Sequence, residues 1–355
     1  MADVNEQLYD LLVGHQIGLQ RLTTRTVQAL VRLVDRVERD VLAKLAEGGT
    51  ELERARLARL LDALGAIYVT GYAELADRLE RDAADLAQYE AEYVRDAVLK
   101  VLPPEVRAEV EFVVPSPQQL RSAVESRPFQ GRLLREWGRD LGEGARQRVS
   151  DAVRMAAVEG ETVPQLVRRV RGTRAAGYKD GITQMSRRGA ESLVRTAMNH
   201  VANHAREAVI AENDDLADRV RWVSTLDTRT TPVCRERDGK TWPVGSGPRP
   251  PAHWGCRSTV VPVIKSWRQL GIDLPELPEG TRASMSGQVP ASETYQTWLE
   301  RQSAETQDEA LGPTRGALFR GGGLTVDRFV DPAGRQLTLA QLRARDAAAF
   351  RRAGL

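Results

Sequence analysis

Up to Pro103-Pro104 the chain repeats apolar side chains at steps of three and four, the spacing that places them on one face of an α-helix. Leu8, Leu12, Leu19, Leu22, Leu30, Leu33, Val37 and Val41 mark one amphipathic helix between Val4 and Ala46. Leu57, Leu61, Leu64, Tyr68, Tyr72, Leu75, Leu79, Ala83 and Leu86 mark a second, which continues to Leu102. Between them Glu47-Gly48-Gly49-Thr50 stops the first helix, and Thr50 with Glu53 has the pattern of a capping box for the next. So short a turn forces the helices antiparallel, and at 1.5 Å per residue each would be on the order of 60 to 75 Å long. His15 falls on the apolar stripe of the first helix, where a packed, hydrogen-bonded histidine is expected.

Composition agrees with a soluble, helix-rich chain rather than a disordered one, because 41% of its residues are hydrophobic and only 5% aromatic. A net charge of +2 excludes the whole molecule as an electrostatic glue for nucleic acid, so any such contact must come from local patches. One patch holds Arg168, Arg169, Arg171, Arg174, Lys179, Arg187 and Arg188 against Asp180. The other holds Lys240, Arg249, Arg257, Lys265 and Arg268. Each reads as a solvated or partner-facing surface, or as a contact to double-stranded DNA. No run approaches the ~18 apolar residues of a membrane span, and the amino terminus has no signal core, so a cytoplasmic protein without a membrane partner is expected. Two cysteines in such a chain argue against a disulfide framework and leave metal binding, thiol chemistry or burial.

Beyond the hairpin, residues 103–117 read as a linker or an edge strand around Val110 to Val114. Residues 118–157 are helical, with a break at Pro128 and Gly131, and Thr162 with Gln165 caps a short helix through Val170. Gly172 to Gly181 reads as a flexible loop before a long helix from Thr183 to Glu212. On that helix Arg195, Asn199, Asn203 and Arg206 share one face, and the strands that follow are the nearest source of partners for it. Those strands are Val220 to Ser224, Lys240 to Val244 after an Asp238-Gly239 turn, and Ser258 to Ile264. Residues 271–292, rich in Pro, Gly and Ser, read as a wandering linker. The expected fold is mainly α with a small α+β carboxyl-terminal region: a long antiparallel hairpin, a helical middle and a small antiparallel sheet packed on a long helix. The expected segments are 1–102 (hairpin), 118–215 (helical middle), 216–272 (β-rich Cys/His block) and 273–355 (linker and helical tail).

Both cysteines lie between Trp222 and Val263, together with His253. The stretch runs from Trp222 through Asp227-Thr228-Arg229-Thr230, Cys234 and Asp238-Gly239-Lys240 to Pro250-Pro251-Ala252-His253-Trp254-Gly255-Cys256-Arg257. This order resembles the carboxyl-terminal block of phage Mu F-like head morphogenesis proteins. Trp222, Asp227, Arg229, Asp238, Gly239, Pro251 and Arg257 carry the structural part of the motif. The tail from Tyr295 to Arg315 resembles the same family, so the likeness spans Arg195 to Leu342, with fainter traces back to Pro128 and none in the hairpin. The resemblance implies a minor head protein of a tailed phage or prophage, present in the virion and made in the host cytoplasm. It further implies assembly next to the portal and other head proteins, and DNA contact through the basic patches.

Cys234, His253 and Cys256 supply three of the four ligands of a closed zinc site, with Asp227 or His204 as candidates for the fourth. Many Mu F-like relatives carry two further cysteines, where this chain has Thr231 and Ser258. The other reading is that the three residues pack and hydrogen-bond a small core. An enzyme would be a zinc-dependent nuclease or hydrolase on the same three residues, or a thiol enzyme with Cys234, His253 and Asp227 as nucleophile, base and orienting acid. A third possibility is a DNA-binding chaperone using Arg168 to Arg188. His200 and His204 stand four apart, but Val201 replaces the Glu a metalloprotease helix requires. Asp227 to Thr230 reads as a strand-exit turn, and a pairing of Asp227 with Arg257 would make the two side chains equally costly to remove.

Overall fold

The computed structural model describes residues 4–47, 54–271, 281–285, 287–290 and 292–355. The expected capping box of Thr50 and Glu53 lies outside them. Helices α1 (Val4–Ala46) and α2 (Arg54–Val101) form the long hairpin that the apolar spacing predicts. The buried face of α1 holds Leu8, Leu12, Leu19, Leu30, Val37 and Val41, but Leu22 is 39% exposed and Val34, not Leu33, is fully buried. A helix advances 100° per residue, so a stripe this long drifts around the cylinder and a fixed set of positions loses register with it.

Two compact units share the chain, one made of Met1–Leu19, Tyr89–Pro115 and Ala202–Leu355, the other of Gln20–Gln88 and Ser116–Val201. They do not follow the four consecutive segments expected from sequence, because α1, α2 and α7 (Ile182–Ala211) each contribute to both.

In the second unit, α4 (Pro117–Ser126) and α5 (Leu134–Glu159) are separated by the break at Pro128 and Gly131. There Phe129 bridges Arg132, and Gln130 and Gly131 take positive φ. Thr162 and Gln165 form the expected capping box at the head of α6 (Val163–Arg171). The segment expected to be a flexible loop is tied instead: Asp180 accepts from the Thr173 N–H at 2.8 Å and from its hydroxyl at 2.7 Å. Close helix packing rests on small residues, since a Cβ on Gly138 would meet that of Ala76 at 2.8 Å.

In the first unit, Pro103-Pro104 ends α2, and α3 (Pro104–Glu109) follows. Although Val110 itself is extended, Val110 to Val114 forms no strand. Its backbone partner is a side chain: Asn213 accepts from the Val113 N–H at 2.8 Å and donates to the Val113 carbonyl at 2.7 Å. Strands β1 (Arg219–Val223), β2 (Thr241–Pro243) and β3 (Thr259–Val263) make one antiparallel sheet in the order β2-β1-β3, with Trp222 opposite Val260. A six-residue helix, α8 (Pro232–Arg237), lies between β1 and β2. The segment expected to be a wandering linker contains a two-stranded hairpin, β4 (Thr281–Ser284) and β5 (Gly287–Pro290). The tail folds into α9 (Tyr295–Glu300), α10 (Ala304–Leu311), α11 (Pro313–Arg320), α12 (Leu339–Arg345) and α13 (Ala347–Arg352). These share a core of Leu226, Tyr295, Trp298, Leu318, Phe329 and Phe350. No described helix is long and apolar enough to cross a membrane.

One buried ion pair ties this unit together. Arg206 of α7 donates to Glu90 of α2, both side chains being fully buried, and to the Val260 carbonyl of β3 at 2.9 Å. Glu90 also holds His15 of α1 at 2.7 Å, and His15 stacks on Tyr93. Burial would raise the Glu90 carboxyl, but the Arg206 charge and the His15 hydrogen bond outweigh it and hold the pKa low. Breaking a buried pair strands the remaining charge. We expect Glu90→Ala to lower unfolding stability by about 3–5 kcal/mol. The double change Glu90→Leu with Arg206→Met should cost much less than the sum of the single losses in urea unfolding; additive losses would refute the coupling.

In the second unit His200, stacked on Phe129 with ring centroids 5.2 Å apart, is pushed down from 6.5 to about 4 by burial. The folded state then binds fewer protons than the unfolded one between those values, so this contribution to stability is present above pH ~6.5 and lost as pH falls towards 4. A His200→Phe protein should have a flatter stability profile across that window, measured by urea unfolding at a series of pH values.

Candidate functional site

The candidate site is built where β1 leaves the sheet. Trp222 is fully buried, its indole N–H donating to Ser224 Oγ at 2.9 Å, and Ser224 in turn donates to the Cys234 carbonyl at 2.8 Å. The chain then turns at Asp227, whose Oδ1 accepts from the Arg229 N–H and the Thr230 hydroxyl, both at 3.1 Å. This is the strand-exit turn expected of Asp-x-Arg-Thr. Arg257 clamps the same carboxylate with two parallel bonds of 2.6 and 2.8 Å. Burial favours the neutral acid, yet the Arg257 hydrogen bonds and charge prevail and hold the Asp227 carboxyl below its usual range. The Arg229 side chain is largely exposed.

Pro232 opens α8, whose first turn buries Cys234. The helix ends at Asp238, and Gly239 adopts φ 81°, which an L side chain rarely takes, while its N–H donates to the Trp222 carbonyl at 2.9 Å. Asp238 is buried and receives four bonds: from the Ser224 N–H (2.6 Å), the Tyr295 N–H (2.7 Å) and two Arg282 nitrogens (3.0 and 3.2 Å). Arg282 also donates to the carbonyls of Ser224 at 2.8 Å and Glu293 at 2.6 Å. Both Asp238 and Arg282 therefore hold β1, α8, β4 and α9 in place. Sequence reading missed Arg282 because its neighbours have linker composition; a lone arginine there carried no periodic signal.

Buried Pro251 leads to the turn that carries His253 and Cys256, in which Gly255 has φ 70° and the Cys256 N–H donates to the His253 carbonyl at 3.1 Å. The turn faces α8. Cys234 Sγ lies 3.8 Å from Cys256 Sγ and 3.4 Å from His253 Nε2, and the three donor atoms all fall within 4.8 Å of one another. Thr231 Oγ1 approaches the same Nε2 at 2.8 Å, while Ser258 Oγ lies 3.2 Å from Ser224 Oγ. Trp222, Val233, Trp242 and Ala252 pack around the cysteines. A hydrogen bond from Cys234 lowers the Cys256 thiol, opposed by burial and aided by His253, whereas that hydrogen bond and burial raise Cys234. The arrangement can hold a soft or borderline cation or stand as a buried, hydrogen-bonded thiol pair.

Neither candidate for a fourth ligand joins this cluster. Asp227 is committed to Arg257, and His204 is not among the grouped donors of the described residues. Nor does Asp227 face His253 as an orienting acid, so the structure does not assemble the thiol triad. The polar face of α7 divides. Asn203 accepts from the Val260 N–H at 2.9 Å and the Thr259 hydroxyl at 3.0 Å, and Arg206 reaches the same strand. Asn199 is buried, and Arg195 instead bonds Glu191 on its own helix at 2.9 Å and Thr24 of α1 at 3.4 Å.

The basic patches also divide. Arg169 is paired with Glu159 and Glu161, and Arg187 with Asp35. Arg168, Arg171, Arg174 and Arg188 are exposed, Arg171 stacking over Tyr178. In the later patch Lys240 pairs with Glu236, Arg249 with Glu207 and Arg257 with Asp227, while Lys265 reaches the Asp214 carbonyl at 2.8 Å. That run is therefore largely consumed internally, its acids coming from parts of the chain outside it.

Fold and site together describe a helical protein whose Cys/His block is braced by buried ion pairs. Residues 147–261 match the model of the family described as Phage Mu protein F like protein. The match takes in α7, β1, β2, the first part of β3 and all three donor residues; it stops before the tail that also resembles the family and begins earlier than Arg195. No curated protein matches the chain, and no solved structure does.

Because Asp227 serves its own turn as well as Arg257, the two side chains are not equivalent. Asp227→Ala should destabilise more than Arg257→Ala, and a double-mutant cycle should return a coupling of about 1 kcal/mol. Equal single losses with no coupling would contradict this account.

Proposed function

We propose that this protein is a minor head protein of a tailed phage or prophage, acting in capsid assembly beside the portal. The observation that carries the reading is the match of residues 147–261 to the Mu F-like family model, which spans the segment where the Trp, Asp-x-Arg-Thr, Asp-Gly and His-x-x-Cys residues form one braced block. The role is structural rather than catalytic, a reading supported by Asp227, Asp238, Arg257 and Arg282, which are spent on each other and on backbone groups. The protein resides in the virion after assembly in the host cytoplasm, with the portal and other head proteins as partners. The hairpin supplies an extended helical surface for such contacts. Packaged DNA is met by Arg168, Arg171, Arg174 and Arg188, four exposed arginines of the first basic patch.

The test is co-purification of the tagged protein with the portal protein encoded in the same gene neighbourhood, followed by mass spectrometry of assembled heads. Recovery in portal complexes and in heads is expected; absence from both would overturn the reading. DNA binding by the same preparation should show a shallower salt dependence once the four arginines are changed to Gln, and an unchanged slope would remove DNA from the proposal.

A further inference from the structure

Three donor atoms, one on α8 and two on the turn of residues 253–256, converge in the β-rich block, and their spacing is that of a metal site. With Zn–S near 2.3 Å and Zn–N near 2.0–2.1 Å, a tetrahedral zinc ion needs an S–S edge of about 3.8 Å and an S–N edge of about 3.6 Å. Cys234 and Cys256 are 3.8 Å apart, Cys234 and His253 Nε2 are 3.4 Å apart, and the third edge does not exceed 4.8 Å. His253 is oriented as a ligand would be. Its Nδ1 lies 2.9 Å from the Trp254 carbonyl, an arrangement in which Nδ1–H donates and Nε2 turns its lone pair towards the cysteines. Two thiolates would balance the charge of a divalent ion, so the complex could be buried beside Trp222 without leaving a net charge there.

Thr231 provides an independent observation. It occupies the N-cap of α8, where a threonine hydroxyl ordinarily accepts from the backbone of the first turn, yet its side chain makes no cap hydrogen bond. Its Oγ1 instead faces His253 Nε2 at 2.8 Å. We propose that Cys234, His253 and Cys256 bind one zinc ion, with Thr231 beside the fourth coordination position. The ion joins α8 to the turn of residues 253–256 and so acts as a staple for the block. This proposal is independent of the head-assembly reading.

The experiment uses the full chain, untagged and purified without chelator, with zinc measured by mass spectrometry and folding checked by circular dichroism. One equivalent of zinc is expected, and cobalt(II) in its place should give a near-ultraviolet thiolate-to-metal charge-transfer band. Zinc should be lost in Cys256→Ser and His253→Gln, and removal of zinc by chelator should lower the Tm of the unsubstituted chain. Thr231→Cys adds a third thiolate without sacrificing a cap, and should tighten zinc in chelator competition by on the order of tenfold, the scale on which neighbours tune a metal site. This gain of affinity is readable even if the loss variants fail to fold. A folded chain that takes up no zinc when it is supplied, zinc retained in both loss variants, or no response to Thr231→Cys would each overturn the proposal.

Discussion

The first unit depends on keeping one glutamate charged in its interior. Glu90 sits on α2 with no exposure to solvent, and the unit is arranged to satisfy it: His15 comes from α1, Arg206 from α7. Arg206 spends its remaining capacity on β3 through the Val260 carbonyl and the Thr259 hydroxyl. Four elements far apart in the chain thus meet around a single carboxylate. Such a pair contributes little net stability over an apolar substitute, because desolvation offsets attraction, but it makes misaligned packing expensive. Within this unit it links the α1 and α2 segments to α7 and β3.

A second buried pair repeats this device further along. Asp238 and Arg282 brace β1, the end of α8, β4 and the start of α9, and Arg282 also lies over the ring of Tyr9 from α1. The Cys/His cluster adjoins both this brace and the Asp227–Arg257 clamp, since the Cys234 carbonyl accepts from Ser224, whose N–H bonds Asp238, and Cys256 precedes Arg257. The conspicuous polar residues of the motif are mostly turned inwards: Asp227, Asp238 and Arg257 build the scaffold.

Legibility in the sequence followed the range of the interaction. The break at Pro128 to Gly131, the Thr162–Gln165 capping box and the Asp227 turn all involve residues within a few positions of each other, and each was read from local chemistry. Val110 to Val114 forms no strand, as the linker alternative has it; the β-branched run did not reveal its partner, the Asn213 side chain. The ion pairs of the second basic run were not legible because its acids, Glu207, Asp227 and Glu236, lie outside it in sequence. Arg282 was invisible in a stretch whose composition suggested only a linker.

Helical periodicity, caps and turn residues by themselves determined the long hairpin, the α7 helix and the three strands, since each depends on side chains placed at steps of two, three or four along the chain. The family resemblance likewise lay in the residues themselves. Only the tertiary structure decided that Glu90 meets Arg206, that Asp238 meets Arg282, and that Cys234 faces His253 and Cys256 with Thr231 turned towards them. Those pairings join residues carried by different elements, and nothing local to either partner encodes the other. They are settled when buried charges and polar atoms must find complements in the space left by helix and sheet packing.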